Sequence, residues 1–332
     1  MSNQKVVAIA GATGAVGACF IELLEKRNFP VKTLKLLASK RSAGKKLKFK
    51  GEEILVEEMT KDSFKGVDIA LFSAGGAISK EFRNAVVDSG AVMIDNSSAF
   101  RMEEGTPLVI PEINPEEIKK HKGVIANPNC STIILLVPVY PLHRVNPLKR
   151  LVVSTYQAAS GAGAMAMLEL EEQAKDFLAG RPVKKEAFPH QIAFNVFSHN
   201  SKIAEEGYNE EEIKMVKESQ KILKVKDLRV SATCVRVPVL RAHSESINAE
   251  FSRPITPEEA TQILRNAPGV RVVDDREKNY FPMPLDASEK EEVLVGRIRK
   301  DPSVENGLNL FVAGDQLWKG AALNAIQIAE LL

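Results

Sequence analysis

Cys130 stands in Asn127-Pro128-Asn129-Cys130-Ser131-Thr132, after the apolar run Val124–Ala126 and before the helix-forming Ile133–Val137. A thiol at the start of a helix feels the positive end of the helix dipole, which stabilises the thiolate and makes it a nucleophile near neutral pH. The same context also accommodates a buried structural thiol. Cys19 lies inside a helical pattern and Cys234 inside a strand-like segment, positions where a free cysteine acts as a small core hydrophobe. Three cysteines with no CxxC spacing argue against a disulfide scaffold or a thiolate zinc site and fit a reducing compartment.

A thiol nucleophile needs a proton-moving partner. The five histidines are His121, His143, His190, His199 and His243, and none pairs at zinc-ligand spacing, so no metal is expected. His243 ends the segment Arg236-Val237-Pro238-Val239-Leu240-Arg241-Ala242-His243, a strand and turn carrying cations beside an imidazole, and spacing makes it the best-placed base. Ser160, in Ala159-Ser160-Gly161-Ala162-Gly163, lacks the preceding glycine of a GxSxG elbow, which disfavours a serine hydrolase.

A second chemistry is written near the N-terminus. Val6–Ala10 leads directly into Gly11-Ala12-Thr13-Gly14-Ala15-Val16-Gly17, a GxxGxxG turn that opens a helix. Glycines there let backbone N–H groups close on a pyrophosphate held at the helix N-terminus. A tight turn without ligand is the plainer alternative, but the placement between strand and amphipathic helix favours a dinucleotide. The next strand ends in Ser39-Lys40-Arg41-Ser42 rather than in the acid that would accept from a ribose 2′-hydroxyl, so two cations and two hydroxyls point to NADP. The loops Ser73-Ala74-Gly75-Gly76 and Asn96-Ser97-Ser98 fall at strand C-termini, where open α/β sheets bind ligands.

These residues need elements to hold them. Val6–Ala10, Leu34–Ala38, Val67–Phe72, Val92–Asp95, Leu108–Ile110 and Val124–Ala126 alternate with helical patterns, which predicts a parallel sheet with crossover helices. Val16, Phe20, Leu23 and Leu24 put one apolar helix face on that sheet, and Lys40–Lys50 reads as a basic loop and hairpin. From Lys149 the texture becomes α+β, with strands expected at 150–157, 228–238, 246–251, 293–299 and 308–312 and helices at 165–178 and 211–223. The segment 317–332 reads as a last helix returning to the first sheet. At 332 residues the chain allows about two domains of roughly 150 residues each. Its 44% hydrophobic content belongs to a globular protein, and a net charge of +2 supplies no field for a nucleic-acid or membrane-surface partner. No signal peptide opens it, and no apolar run approaches the roughly 20 residues of a membrane span.

Taken together, the motifs resemble the aspartate-semialdehyde dehydrogenase family. The matching segments are GATGAVG at 11–17, ASKRSAGK at 38–45, IALFSAGG at 69–76, NPNCST at 127–132, STYQAASGAG at 154–163, IKMVKES at 213–219, CVRVPVLRAHSES at 234–246, VGRIRKD at 295–301 and KGAALNAIQIAE at 319–330. The resemblance implies an α/β fold of the glyceraldehyde-3-phosphate dehydrogenase type, with a Rossmann-type parallel-sheet NADP-binding domain (1–129), an α+β catalytic and dimerisation domain (130–316) and a returning C-terminal helix (317–332). It implies Cys130 as nucleophile, His243 as acid and base, and Gln157 orienting the thioester or thiohemiacetal. Arg236 would hold the substrate carboxylate and Glu211 its amino group, with phosphate on Arg101, Lys214 and Asn129. From spacing alone, Glu211 and Lys214 read as a solvated pair on one helix face, and Arg241 competes with Arg236. The cofactor set would be Gly11, Thr13, Gly14, Ala15, Val16, Ser39, Arg41, Ser42, Ser73, Gly75, Ser160, Gly161 and Gln316.

The implied reaction is the NADP-dependent, reversible reductive dephosphorylation of aspartyl 4-phosphate to aspartate 4-semialdehyde through a cysteine thioester. It serves lysine (through diaminopimelate), threonine and methionine biosynthesis. A cytoplasmic homodimer is implied, with a dimer of dimers left open. Competing readings are an N-acetyl-γ-glutamyl-phosphate reductase, a catalytically silent NADP-binding sensor and a cysteine hydrolase.

Overall fold

Val7, Ala8, Ile9 and Ala10 are fully buried because β1 (Lys5–Ala10) runs through the middle of a sheet covered on both faces. The computed structural model describes residues 4–204 and 206–332, and these divide into two units. One runs to Asn129 and resumes at Ala321; the other spans Cys130–Gly320.

In the first unit β1 pairs in parallel with β2 (Val31–Ala38) on one side, Ile9 opposite Leu36. The chain continues through β3 (Lys46–Phe49), β4 (Glu52–Glu58) and β5 (Ile69–Phe72), which takes the other side of β1 with Ile9 opposite Leu71. With β6 (Val92–Asp95) and β7 (Val124–Ala126) the seven-stranded order is β3-β4-β2-β1-β5-β6-β7. Among these pairings only β3 is antiparallel, as a hairpin with β4 that realises the basic hairpin expected near Lys40–Lys50. Helix α1 (Ala15–Lys26) buries Cys19, Phe20, Leu23 and Leu24, and α2 (Gly76–Asp88) buries Phe82 and Val86.

Leu108–Ile110 is not the strand its apolar run predicts. Leu108 makes an isolated bridge to Ala126, Val109 N–H donates to Ala126 O at 3.2 Å, and the Asn114 side chain donates to Leu108 O at 2.9 Å and accepts from Ile110 N–H at 2.9 Å. Past that bridge, side-chain amides take over from the ladder.

The second unit opens with α3 (Cys130–Val145), followed by β8 (Leu148–Gln157), α4 (Ala164–Leu178), β9 (Phe197–Ser198), α5 (Glu210–Leu223) and β10 (Arg229–Arg236). Then come β11 (His243–Phe251), α6 (Pro257–Arg265), β12 (Val270–Val272), α7 (Pro284–Ala287), β13 (Val293–Asp301) and β14 (Gly307–Gly314). The sheet order is β12-β13-β14-β11-β8-β10-β9, with β8 and β10 parallel and β11 antiparallel to β8. Strand alternation puts Leu151, Val153, Thr155 and Gln157 of β8, with His243, Glu245, Ile247 and Ala249 of β11, into the buried positions. Helix α3 packs on α5, α6 and β11, and α5 packs on β10. Helix α3 runs on through Pro138 and Pro141, where a proline-based stop would have ended it, because nearly every residue from Ser131 to Val139 is locked in the core.

The return begins at Ala321 rather than at 317. Asp315 Oδ1 first accepts the N–H groups of Leu317 (2.9 Å) and Trp318 (3.0 Å), and a π-type turn over Trp318–Ala322 leads into α8 (Leu323–Glu330). Within the first unit α8 packs on α1 and β6, with Glu330 forked onto Arg27 at 2.7 and 2.8 Å. Among the described residues no helix is long and apolar enough to cross a membrane.

Candidate active site

Cys130 is the first residue of α3, so its sulfur sits at the positive end of a long helix. It is partly open to solvent, whereas Cys19 and Cys234 are buried. Cys234 lies 3.6 Å from the Met215 sulfur, and burial pushes its thiol pKa up. The chain comes close behind Cys130: a Cβ added at Gly320 would lie 2.8 Å from Cys130 Cβ, so only glycine fits.

The register of the second sheet gathers the expected polar groups at one end. Gln157 ends β8 opposite Arg236, which ends β10, and the pairing of Ser244 with Tyr156 brings His243 alongside. Gln157 Nε2 donates to Ser131 Oγ at 2.6 Å in the first turn of α3 and to Glu211 Oε1 at 3.2 Å. Glu211 is buried at the start of α5, and its other oxygen accepts from Lys214 Nζ at 3.1 Å. The solvated pair suggested by spacing is thus a part-buried one facing Gln157. Cys130 lies within electrostatic reach of Arg236: burial works against the guanidinium charge, while Glu211 and then Cys130 favour it. Arg241, the rival for Arg236, is instead tied to Asp315 at 2.8 Å and Glu289 at 3.0 Å.

His243 is buried, and its Nδ1 accepts from the Ala158 N–H at 3.0 Å. That bond leaves the neutral ring's proton on Nε2. Desolvation, followed by the charge of Arg236, depresses its pKa to about 3. Gly161 closes on both groups: a Cβ there would meet His243 Cε1 at 3.0 Å and Arg236 Nη1 at 3.1 Å. Gln316 donates to Ser160 Oγ and accepts from the Ala242 N–H at 2.9 Å, so these two residues hold the turn that carries Gly161.

Residues invisible to spacing complete the cluster. His199 Nε2 lies 2.8 Å from Arg236 Nη2, and Asn200 Oδ1 accepts from Arg236 Nε at 3.3 Å. They reach Arg236 because the two-residue β9 pairs with β10, Phe197 opposite Arg236.

The first unit holds the remaining candidates. Gly11 has φ +87°, and a Cβ there would lie 2.3 Å from Ser73 O, so strand and turn meet only through glycine. Gly14 caps α1 without a side-chain bond, no acid occupies the first turn, and Thr13 and Gly14 are exposed while Ala15 and Val16 are partly covered. This leaves the positive end of α1 open to an anion. Ser39, Lys40 and Arg41 are exposed past β2, Ser42 is partly covered, and Gly75 caps α2 two residues after Ser73. The residues present fit a nicotinamide dinucleotide. Arg101 is buried, donating from Nε to Asn127 O at 2.9 Å and from Nη2 to Asn96 O at 2.7 Å, and Asn129 is buried just ahead of Cys130.

Family comparison agrees with both units. The family described as "Semialdehyde dehydrogenase, NAD binding domain" matches residues 6–121, and "Semialdehyde dehydrogenase, dimerisation domain" matches residues 139–319. The chain is 57% identical to the aspartate-semialdehyde dehydrogenase of Synechocystis sp. over 332 residues, covering 100% of this chain and 98% of that protein. The crystal structure of Vibrio cholerae aspartate semialdehyde dehydrogenase II complexed with ASA is similar at a TM-score of 0.96 and 43% identity, covering 100% of this chain and 98% of that one. The Candida albicans aspartate semialdehyde dehydrogenase structure with NADP gives a TM-score of 0.77 at 27% identity, covering 99% and 98%.

Proposed function

The chain belongs to the aspartate-semialdehyde dehydrogenase family, and we propose that Cys130 is the nucleophile with which it converts aspartyl phosphate to aspartate semialdehyde. The observation that carries this assignment is the juxtaposition, in one unit, of a helix-start thiol with a Gln157–Glu211–Arg236–His243 cluster. The related proteins do not favour the acetylglutamyl-phosphate, silent-sensor or hydrolase readings.

In the biosynthetic direction the Cys130 thiolate attacks the acyl carbon, the carbon–oxygen bond to phosphate breaks, and a thioester remains. Lys214 and Arg101, with Asn129, hold the departing phosphate; Arg suits such oxyanions through paired donors. A reduced nicotinamide cofactor held at the glycine turn Gly11–Gly17 would supply the hydride. His243 Nε2–H donates to the oxyanion that forms on carbon, and Gln157 holds that oxygen in place. Collapse breaks the carbon–sulfur bond, frees the aldehyde and restores the thiolate. Throughout, Arg236 grips the substrate carboxylate and Glu211 its ammonium group. An anionic substrate on Arg236 offsets part of the charge that keeps His243 unprotonated, so the ring's acid–base role belongs to the complex rather than to the free enzyme.

The first unit binds a nicotinamide dinucleotide. We assign NADP: the missing acid after β2 and the exposed Lys40 and Arg41 favour a 2′-phosphate. Gly11, Thr13, Gly14, Ala15, Val16, Ser39, Arg41, Ser42, Ser73 and Gly75 of the first unit would line its site. The match to a dimerisation domain supports a homodimer, and three cysteines outside any disulfide suit a reducing cytoplasm. The deciding experiment supplies aspartate semialdehyde, phosphate and NADP⁺ and follows reduced nicotinamide. Wild type should turn over and Cys130→Ser should not; equal rates would overturn the assignment.

A further inference from the structure

We propose that His199 is a positioning residue for the substrate-carboxylate grip: its Nε2 accepts from Arg236 and its Nδ1–H ties that guanidinium, through Ser201, to the start of α5. The proposal rests on the reading of Arg236 as the carboxylate holder. A guanidinium has only donors to offer, so the 2.8 Å contact from Arg236 Nη2 requires a lone pair on His199 Nε2 and places the ring proton on Nδ1. Nδ1 lies 3.1 Å from Ser201 Oγ, which also accepts the Glu211 N–H at 3.2 Å. The Ser201 N–H also faces Nδ1, at 3.2 Å. That contact would demand the opposite tautomer, and the shorter bond from a charged donor prevails.

The remaining contacts explain why Arg236 needs such a partner. Nη1 donates to Ala158 O at 3.3 Å, Nε to Asn200 Oδ1 at 3.3 Å, and the guanidinium stands 5.7 Å from the Phe188 ring. The two neutral acceptors are long; His199 makes the one short bond and fixes the plane of the fork. Through Ser201 the same residue reaches the N-terminal turn of α5, which carries Glu211 and Lys214. The group that would hold the substrate's carboxylate and the one that would hold its amine are thereby set at a fixed separation, which suits a small amino acid bearing both.

The charged and titratable groups facing His199 are Arg236 of β10, Glu211 and Lys214 of α5, and His243 of β11. Desolvation, then Arg236, holds the His199 pKa at about 4, and Lys214 adds to this while Glu211 opposes it. The ring therefore stays an acceptor across the working pH range.

The test uses the full-length enzyme and two aldehydes: aspartate semialdehyde, and 3-aminopropanal, which lacks the carboxylate. His199→Phe keeps ring volume but removes the acceptor. It should raise KM for the semialdehyde about ten- to hundredfold, the scale of a lost hydrogen bond to a charged group, with kcat within about threefold. Its kcat/KM for 3-aminopropanal should change by less than about threefold by the same reasoning. His199→Gln, whose Oε1 can accept at the position of Nε2, should recover most of the affinity. Ser201→Ala leaves the ring in place, removes its far anchor together with the acceptor of the Glu211 N–H, and should give a smaller rise in KM, which keeps the test sound if the Phe variant folds poorly. An unchanged KM in the Phe and Ala variants, or equal losses on both aldehydes, would overturn the role of His199 while leaving the function intact. A wild type inert toward the semialdehyde would overturn the functional reading, and this role with it.

Discussion

The backbone N–H of Ala158 donates to Nδ1 of His243 at 3.0 Å, which puts the neutral ring's proton on Nε2. Because the folded pKa is depressed to about 3, the unfolded chain takes up a proton as pH falls through the ordinary histidine range and the folded chain does not. Stability is therefore lost on acidification between roughly pH 6.5 and 3, by up to about 1.4 kcal/mol per pH unit from this group. His243→Gln should flatten that decline in urea midpoints measured from pH 7 to 4.5. It should also lower kcat by about 10²- to 10⁴-fold, the usual weight of a positioned proton donor. A wild-type slope retained in the variant would place the titration elsewhere.

Glu245, two residues along the same strand, pulls the other way. It is fully buried, neither carboxylate oxygen has a hydrogen-bond partner, and desolvation raises its pKa well above the ordinary carboxylate value. The folded state keeps its proton while the unfolded state releases it, so stability falls as pH rises from the ordinary value toward the raised one. Glu245→Gln should melt at a higher temperature than wild type, with a gap that widens from pH 4 to 8, by up to about 1.4 kcal/mol per pH unit in that window. A gap independent of pH would show the carboxyl to be ionised or solvated.

Gly320 is expected to matter through geometry alone. A methyl at that position would press on Cys130 Cβ at 2.8 Å, so Gly320→Ala should move the sulfur. Displacements of about 1 Å at a reacting atom can cost about a hundredfold in rate. The variant should lose kcat and react more slowly with iodoacetamide at Cys130, while keeping its affinity for the dinucleotide, as read by fluorescence titration. Wild-type alkylation would show that the backbone had yielded instead.

Cofactor preference offers a separate check. Replacing Lys40 and Arg41 together by Ala should raise KM for NADPH about tenfold or more, because charge-assisted bonds to a phosphate are lost, and leave KM for NADH nearly unchanged. Equal effects on both dinucleotides would mean that the two cations serve only general electrostatics.

How much of this was legible beforehand depended on range along the chain. The strand, glycine turn and helix at 5–26 are contiguous, so periodicity and punctuation suffice to read them. Cys130 at a helix start is equally local. His199 is not, because it reaches Arg236 only through the pairing of a two-residue strand too short to leave a period. Nor is the approach of Gly320 to Cys130, a contact between distant segments. Leu108–Ile110 misled for the opposite reason: its composition suits a strand, but Asn114 and Asn324 side chains occupy its carbonyls. Prolines 138 and 141 do not end α3, since burial outweighs their local stop signal.

Those two prolines lack the amide hydrogens that would have bonded the carbonyls of Ile134 and Val137, so the continuous rod of α3 is mechanically two pieces joined by packing. The leading piece, which aims the sulfur, can keep its shape while the trailing piece breathes. Amide exchange along the helix should therefore show a step at the seam instead of a smooth gradient, with the most sluggish exchange in the turns nearest Cys130.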